Sequence, residues 1–256
     1  MKIISLNTWA AKREDELRTF IQAHLATTDI FCFQEVKGST IETLLDDLFS
    51  TQNYYRIEAH KYIHENEKFD LVTLVRNNYQ AALIKELFTV TESDVGQALA
   101  VGITIGNDVL QIVNVHGISR PGNKLDTKGR LRQSQHIIDF IHQHDIPTIV
   151  MGDFNLDIAT ESVATFAKSG LRDLVHEYKI PATRNKITWE RYRDNPQRYA
   201  DYTFISKDIK ICDFQVIDNQ ASDHLPMSLS INENSLRSLP TKARIVENTR
   251  RASRSQ

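Results

Sequence analysis

Pro147-Thr148-Ile149-Val150-Met151-Gly152-Asp153-Phe154-Asn155-Leu156 decides how this chain is read. An apolar strand from Pro147 to Met151 runs straight into an acidic and an amide side chain. A strand end in an α/β sheet points such groups into the crevice where these sheets bind ligands. Gly152 is expected to let a substrate approach the backbone, since it carries no Cβ. Asp153 suits activation of a water or binding of a metal ion, and Asn155 suits a phosphate or metal oxygen. The same Asp and Asn would also serve a turn after a buried strand, so this segment alone leaves both readings open.

The design recurs along the chain. Ile3-Ile4-Ser5-Leu6 leads to Asn7-Thr8-Trp9, and Asp29-Ile30-Phe31-Cys32-Phe33 leads to Gln34-Glu35-Val36. Val109-Leu110-Gln111-Ile112-Val113 leads to Asn114-Val115-His116-Gly117. Ala200-Asp201-Tyr202-Thr203-Phe204-Ile205 and Ala221-Ser222-Asp223-His224 put acidic groups and a histidine before apolar strands. One polar strand end is ordinary, but this repetition predicts a single site assembled on the edge of a sheet.

The ordered set LNTW, QEV, NVHG, GDFN, DYTF and SDH resembles the endonuclease/exonuclease/phosphatase superfamily. The resemblance runs from about residue 2 to about residue 231. It implies an α/β fold, a four-layer α/β/β/α sandwich of two packed mixed sheets with outer helices. It also implies metal-dependent hydrolysis of a phosphoester, with Glu35 as a metal ligand and Asp201 orienting His224. His116 matches the histidine that deoxyribonuclease-like members use near the leaving group.

Phosphoester chemistry explains the residue types. A phosphodiester resists attack because its oxygens repel an anionic nucleophile, so an enzyme must neutralise them, orient a water and protonate the leaving oxygen. Mg²⁺ prefers oxygen ligands and is often held by one or two carboxylates with several waters. Glu35 is the expected metal ligand, with Asn7 beside it as a further metal or substrate contact, Asp223 completing a second metal position, and Mn²⁺ as the alternative ion. Asp153 is expected to orient the attacking water, Asn155 to hold a non-bridging phosphate oxygen, and His224 to contact the phosphate or the nucleophile. A histidine acting as general acid needs a partner that sets its tautomer. For His116, Glu65, Glu67 and Asp70 are candidates by location alone.

Composition bounds the class. At 256 residues, one α/β domain with a sizeable core is expected. There is no run of about 18 apolar residues, and hence no expected membrane span. Met1 to Leu6 reads as a strand carrying Asn7, not as a signal peptide. Only Cys32 and Cys212 occur, too few for a disulfide framework or a zinc site, so the cytoplasm is the expected compartment. A net charge of −2 gives no global basic field for nucleic acid, although a local groove could still be basic. Residues 1–231 read as the catalytic domain. Residues 232–256, with Arg237, Lys242, Arg244, Arg250, Arg251 and Arg254, read as a disordered basic tail.

Helical spacing predicts helices over Glu14–Leu25, Ile41–Phe49, Lys128–His144 and Glu161–Lys168. Strands are expected over Tyr54–His60, Leu71–Val75, Ala81–Val90, Ala98–Ile105, Val109–Val115, Tyr202–Ser206, Lys210–Val216 and Met227–Ile231. Three segments are expected to set the substrate. Ile118 to Gly129 carries Arg120, Lys124 and Lys128 and could grip a phosphate. Thr183 to Arg198 interleaves Trp189 and Tyr192 with Arg184, Lys186, Arg191, Arg193 and Arg198, and could stack a base or sugar. His60 to His64 reads as an edge strand. Lys68-Phe69-Asp70-Leu71-Val72 departs from the small residues usual in the family, and long DNA-gripping insertions are not evident. His136, His142 and His144 read as surface histidines.

The expected activity is a phosphodiesterase or nuclease cleaving nucleic acid. The alternatives are a phosphomonoesterase acting on a small phosphorylated molecule or lipid head group, and an inactive scaffold that binds nucleic acid or protein. A binuclear metallophosphoesterase would want a GNHD-like segment, which the chain lacks. Oligomeric state is not legible in the sequence.

Overall fold

Alternation in the first strands shows how the layers arise. In β1 (Lys2–Asn7) and β2 (Ile30–Gln34), Ile3, Ile30 and Cys32 face one core, while Ile4, Leu6, Phe31 and Phe33 face another. Both faces of these strands are buried, so each strand serves two layers. The helices α1 (Glu14–Leu25) and α2 (Gly38–Phe49) cover the second face. Leu17, Phe20 and Ile21 of α1 and Ile41, Leu44, Leu45 and Leu48 of α2 recur at helical spacing and pack there.

The remaining elements are β3 (Tyr54–Glu58), β4 (Tyr62–His64), β5 (Glu67–Phe69), β6 (Val72–Arg76), β7 (Gln80–Leu87), β8 (Gln97–Ile105) and β9 (Asp108–His116). They continue through α3 (Lys128–His144), β10 (Thr148–Asp153), α4 (Glu161–Lys168), β11 (Arg172–Asp173), α5 (Leu174–Glu177), α6 (Lys186–Arg191), β12 (Asp201–Ile205), β13 (Ile211–Val216) and β14 (Met227–Ile231). The computed structural model describes residues 1–59, 71–88, 96–144, 146–191, 193–194 and 196–236, and the backbone alone of 62–64 and 67–69. The His60–His64 surface, Glu65, Asp70, the Glu67 side chain, Tyr192 and the basic residues from Arg237 onward lie outside the described residues.

Two mixed six-stranded sheets result, ordered β13-β14-β1-β2-β6-β3 and β11-β12-β10-β9-β8-β7, with β4 and β5 as a separate pair. The first sheet carries α1 and α2 on its outer face. The second carries α3 and α4, through Ile137, Ile138, Phe140, Ile141, Val163 and Phe166. Phe166 of α4 stacks on Phe204 of β12 at 4.4 Å between ring centroids. The inner faces meet through apolar side chains, and at one end through a polar tie. Gln34 Nε2 donates to Asn114 Oδ1 at 2.7 Å, and Asn114 Nδ2 donates to the Phe33 and Val72 carbonyls. All these groups are buried, and the tie pairs the Gln34 amide nitrogen and both ends of the Asn114 amide, which would be costly to bury unpaired.

Register brings the polar strand ends together. Parallel pairing of β1 with β2 sets Asn7 opposite Gln34, which puts Glu35 just beyond. Parallel β9 and β10 set His116 opposite Asp153, and antiparallel β12 sets Asp201 on the other side of Asp153. β14 runs antiparallel to β1, so the residues before Met227 arrive at the same end as Asn7.

The four long helices and most strands lie where spacing places them. β4 falls within the His60–His64 stretch expected as an edge strand, whereas β5, β11, α5 and α6 have no counterpart in the sequence expectations. α6 lies inside the Thr183–Arg198 segment, and at six residues it is too short to show a helical period. The packed chain also continues beyond 231. Glu233 pairs with the α-amino group of Met1 at 2.9 Å, and Leu236 is buried.

Gly152 has a different reason from the one expected. Its φ is +138°, and a Cβ there would lie 2.1 Å from the Val115 carbonyl oxygen of β9. Close strand approach and a left-handed backbone demand glycine here, not space for a substrate.

Candidate active site

Asp153 is the hub. It is buried, yet one oxygen, Oδ2, receives Asn7 Nδ2 at 2.9 Å and Asn155 Nδ2 at 3.3 Å. Two histidine nitrogens point at the same oxygen from further away, His224 Nε2 at 3.7 Å and His116 Nε2 at 3.8 Å. Its other oxygen accepts from the backbone N–H of Asn155 at 2.8 Å. Burial alone would raise this carboxyl, but His224, Lys124, His116 and Arg184 outweigh it and hold Asp153 well below the usual carboxylate range. It is therefore an anion at any physiological pH.

His224 is fully enclosed, and its Nδ1 contacts both oxygens of Asp201, at 3.0 and 2.9 Å. A ring nitrogen facing a carboxylate carries the proton, which fixes Nδ1 as donor. Burial alone would lower the imidazole, but Asp201 and Asp153 raise it to about 9. Burial pushes the Asp201 carboxyl up against the opposing pull of His224. The imidazole remains the more basic member, so the proton of the pair rests on His224. Nε2–H then faces Asp153 across a gap too long for a direct hydrogen bond.

Glu35 sits just past β2 with φ +55°, an uncommon backbone for a non-glycine residue and a typical one for a functional position. Its Oε1 accepts from Asn7 Nδ2 at 3.1 Å and lies 3.9 Å from His116 Nε2. The carboxylates near His116 are therefore Glu35 and Asp153, both distant in sequence. Asn7 bridges the two sheets. Its Nδ2 serves Glu35 and Asp153, and its Oδ1 accepts from the Trp9 backbone N–H at 3.0 Å. That network sets the amide orientation, because carboxylates need a donor and a backbone N–H needs an acceptor. Asn7 accordingly turns its nitrogen, not its oxygen, toward Glu35.

Two groups have the geometry to hold a cation among the described residues, Glu35–His116–Asp153 and Asp153–Asp201–His224. The first fits a hard divalent ion better. Its two carboxylates are free of tight ion pairs and one is part-exposed, whereas Asp201 is committed to His224. Asp223 belongs to neither group. Its Oδ2 is bound by Arg184 Nη2 at 2.8 Å, and its Oδ1 lies 3.8 Å from His224 Nε2.

The segment before β12 clamps the His224 loop. Asn185 Nδ2 donates to the Ser222 and Asn219 carbonyls, and Thr188 Oγ1 donates to the Asp223 carbonyl. Thr183 Oγ1 accepts from the N–H of Asp201. Arg184, grouped by sequence with a solvated basic surface, is thus a buried ion-pair partner. Trp189 is half-buried on α6, and the Arg198 guanidinium lies 4.8 Å over its ring, where the sequence expects a base or sugar. Arg120 is exposed, whereas Lys124 is buried with its Nζ donating to Asn155 Oδ1. Sequence reading missed Arg130. It is buried, and its guanidinium donates to the carbonyls of Ile118, Ser119, Pro121 and Leu125, shaping the loop that carries Lys124. His136 and His142 are exposed and His144 half-buried, with His142 Nε2 against the Ser169 carbonyl and His144 Nδ1 against the Phe140 carbonyl.

The chain matches the Endonuclease/Exonuclease/phosphatase family over residues 4–224. No curated protein matches it in sequence. Its structure is similar to the human Nocturnin catalytic domain with bound sulfate, at 19% identity and TM-score 0.68, covering 91% of this chain and 93% of that one. It is also similar to D. rerio TDP2 complexed with a single-strand DNA product, at 18% identity and TM-score 0.66, covering 91% and 98%. A mannosyl-6-phosphatase from Bacteroides thetaiotaomicron is similar at 16% identity and TM-score 0.63, covering 91% and 99%. Among the described residues no helix is long and apolar enough to cross a membrane.

Proposed function

The chain belongs to the endonuclease/exonuclease/phosphatase family, and on that premise we propose that it is a Mg²⁺-dependent phosphoester hydrolase acting on a phosphodiester, with nucleic acid the favoured substrate. The observation that carries the reading is the convergence on one Asp153 oxygen of Asn7, Asn155, His116 and the His224–Asp201 pair. A carboxylate held ionised beside a protonated imidazole offers an acceptor and a donor a few ångströms apart. Attack on a phosphoryl group needs that combination.

Asp153 accepts a hydrogen bond from the attacking water and orients it. As a weak base it positions the water and takes its proton only once the new P–O bond has begun to form, while the bond to the leaving oxygen breaks. His224 donates its Nε2–H to the phosphoryl group, where negative charge grows in the transition state. Asp201 holds that ring in place and keeps it charged. His116, flanked by Glu35 and Asp153, stands where a proton can be passed to the leaving oxygen. A divalent cation held by Glu35, with Asp153 and His116 beside it, would supply positive charge against the phosphoryl oxygens.

The D. rerio TDP2 complex with a DNA product supports a nucleic-acid substrate, and the mannosyl-6-phosphatase keeps a monoester within the same fold. The test is release from a matched panel of single- and double-stranded DNA, RNA, a simple phosphodiester and a phosphomonoester, with Mg²⁺ and with chelator. Diester cleavage abolished by the chelator is expected. Monoester release alone would replace diesterase with phosphatase, and no turnover on any member would reject the hydrolase reading.

A further inference from the structure

Lys124 is a buried basic side chain with no anion among the described residues at hydrogen-bonding distance. It is 8% exposed, and its Nζ donates to Asn155 Oδ1, the oxygen of a neutral amide. No carboxylate of the described residues is within ion-pair reach of it. Burial lowers the Lys124 ammonium from its ordinary value, with Arg184 and Arg130 adding to it and Asp153 and Asp201 only partly opposing it. An enclosed ammonium without a paired anion is costly, and proteins keep such a group where a ligand completes the pair.

Its position is built rather than accidental. The loop from Ile118 to Leu125 is wrapped around the Arg130 guanidinium through four carbonyls. Gln197 Nε2 donates to the Gly122 carbonyl, tying the loop to the segment before β12. Lys124 itself has φ +61°, and its carbonyl accepts from the Asp157 N–H at 2.7 Å. The held backbone sets the direction in which the side chain leaves the loop, and the Asn155 Oδ1 contact holds its ammonium.

The hydrogen-bond count of Asn155 completes the argument. Its amide nitrogen has two hydrogens, directed at the Gly117 carbonyl at 3.1 Å and at Asp153 Oδ2 at 3.3 Å. Its oxygen is taken by Lys124. Asn155 therefore has no donor left for a phosphate oxygen, whereas the Lys124 ammonium has used one of its three.

We propose that Lys124, rather than Asn155, donates to a non-bridging oxygen of the scissile phosphoryl group, and that Asn155 serves to hold the Lys124 ammonium and Asp153 in register. The inference rests on the phosphoester-hydrolase reading of the same site. It adds that the bound phosphoryl group must carry an anionic oxygen on the side of the 118–125 loop.

Calorimetric titration of inorganic phosphate into the full chain, with Mg²⁺ present, tests it independently of turnover. Wild type is expected to bind. Lys124→Met and Lys124→Gln should each weaken binding by at least ~10-fold, the loss of one charge-assisted hydrogen bond. Lys124→Arg should stay within about threefold of wild type, since it keeps the charge and a donor. Lys207→Met, beyond the far end of β12, should change nothing. Circular dichroism identifies a variant that has lost its fold, and the second neutral variant then carries the comparison. Equal phosphate affinity in a folded Lys124→Gln or Lys124→Met protein would overturn the inference, as would absence of binding by wild type at millimolar phosphate. Lys124-dependent phosphate binding in a protein that cleaves no panel substrate would keep this inference and reject the hydrolase. Cleavage with Lys124-independent binding would reject only this inference.

Discussion

At the scale of single residues, charge pairing decides what each site group can do. His224 titrates at about 9 in the fold against an ordinary 6.5, because Asp201 and Asp153 face it. A raised value means that the fold favours the protonated ring. The resulting stabilisation is full below about pH 6.5 and is lost as pH rises through about 9. In metal-free protein, the His224 ring resonances should therefore titrate near pH 9, and Asp201→Asn should bring the midpoint down toward the ordinary range. A wild-type midpoint near 6.5 would show that the pair does not hold the proton. Much of this site is legible in sequence, because Asn7, Glu35, His116, Asp153, Asp201 and His224 each follow or precede an apolar strand. Their partners are not legible. The carboxylates flanking His116 come from just past β2 and from the end of β10, and the anion paired with Arg184 comes from the loop before β14. Sequence proximity to His116 points instead to Glu65, Glu67 and Asp70, since a linear reading cannot see which strands become neighbours.

At the scale of elements, length and periodicity separate what spacing reveals from what it hides. α1 repeats Leu17, Phe20 and Ile21 against one sheet face, so its pattern is plain, as is that of α2. α6 makes fewer than two turns, and β11 has two residues, too short for any period to emerge. Four carbonyls of the 118–125 loop are gathered by one side chain of the next helix. A basic residue in the first turn of α3 reads as solvated surface, yet Arg130 is buried and serves four carbonyls. Arg130→Met removes those donors and strands the carbonyls. It should lower the free energy of unfolding in urea by at least ~2 kcal/mol and speed amide exchange across 118–125. Unchanged stability with unchanged protection would show that the loop holds its shape without Arg130.

At the scale of the whole molecule, the sandwich brings two half-sites together. The first sheet delivers Asn7, Glu35 and, through the loop before β14, His224, and the second delivers His116, Asp153 and Asp201. Asn7 and the Gln34–Asn114 tie cross between the sheets close to the site, so their relative placement is held where the chemistry needs it. The layer order is implied by the family resemblance and found in the fold, because buried alternation on β1 and β2 requires a layer on each face. The central claim is that groups from the two sheets act as one unit on a phosphoester. Its most direct test is the rate of Mg²⁺-dependent cleavage by Asp153→Ala, His224→Ala and the double variant, each checked for folding. Each single change should lower kcat by at least ~10²-fold, and the double should fall little below the worse single, since members of one unit are not additive. Near-wild-type rates in either folded single variant, or losses that multiply in the double, would contradict the account.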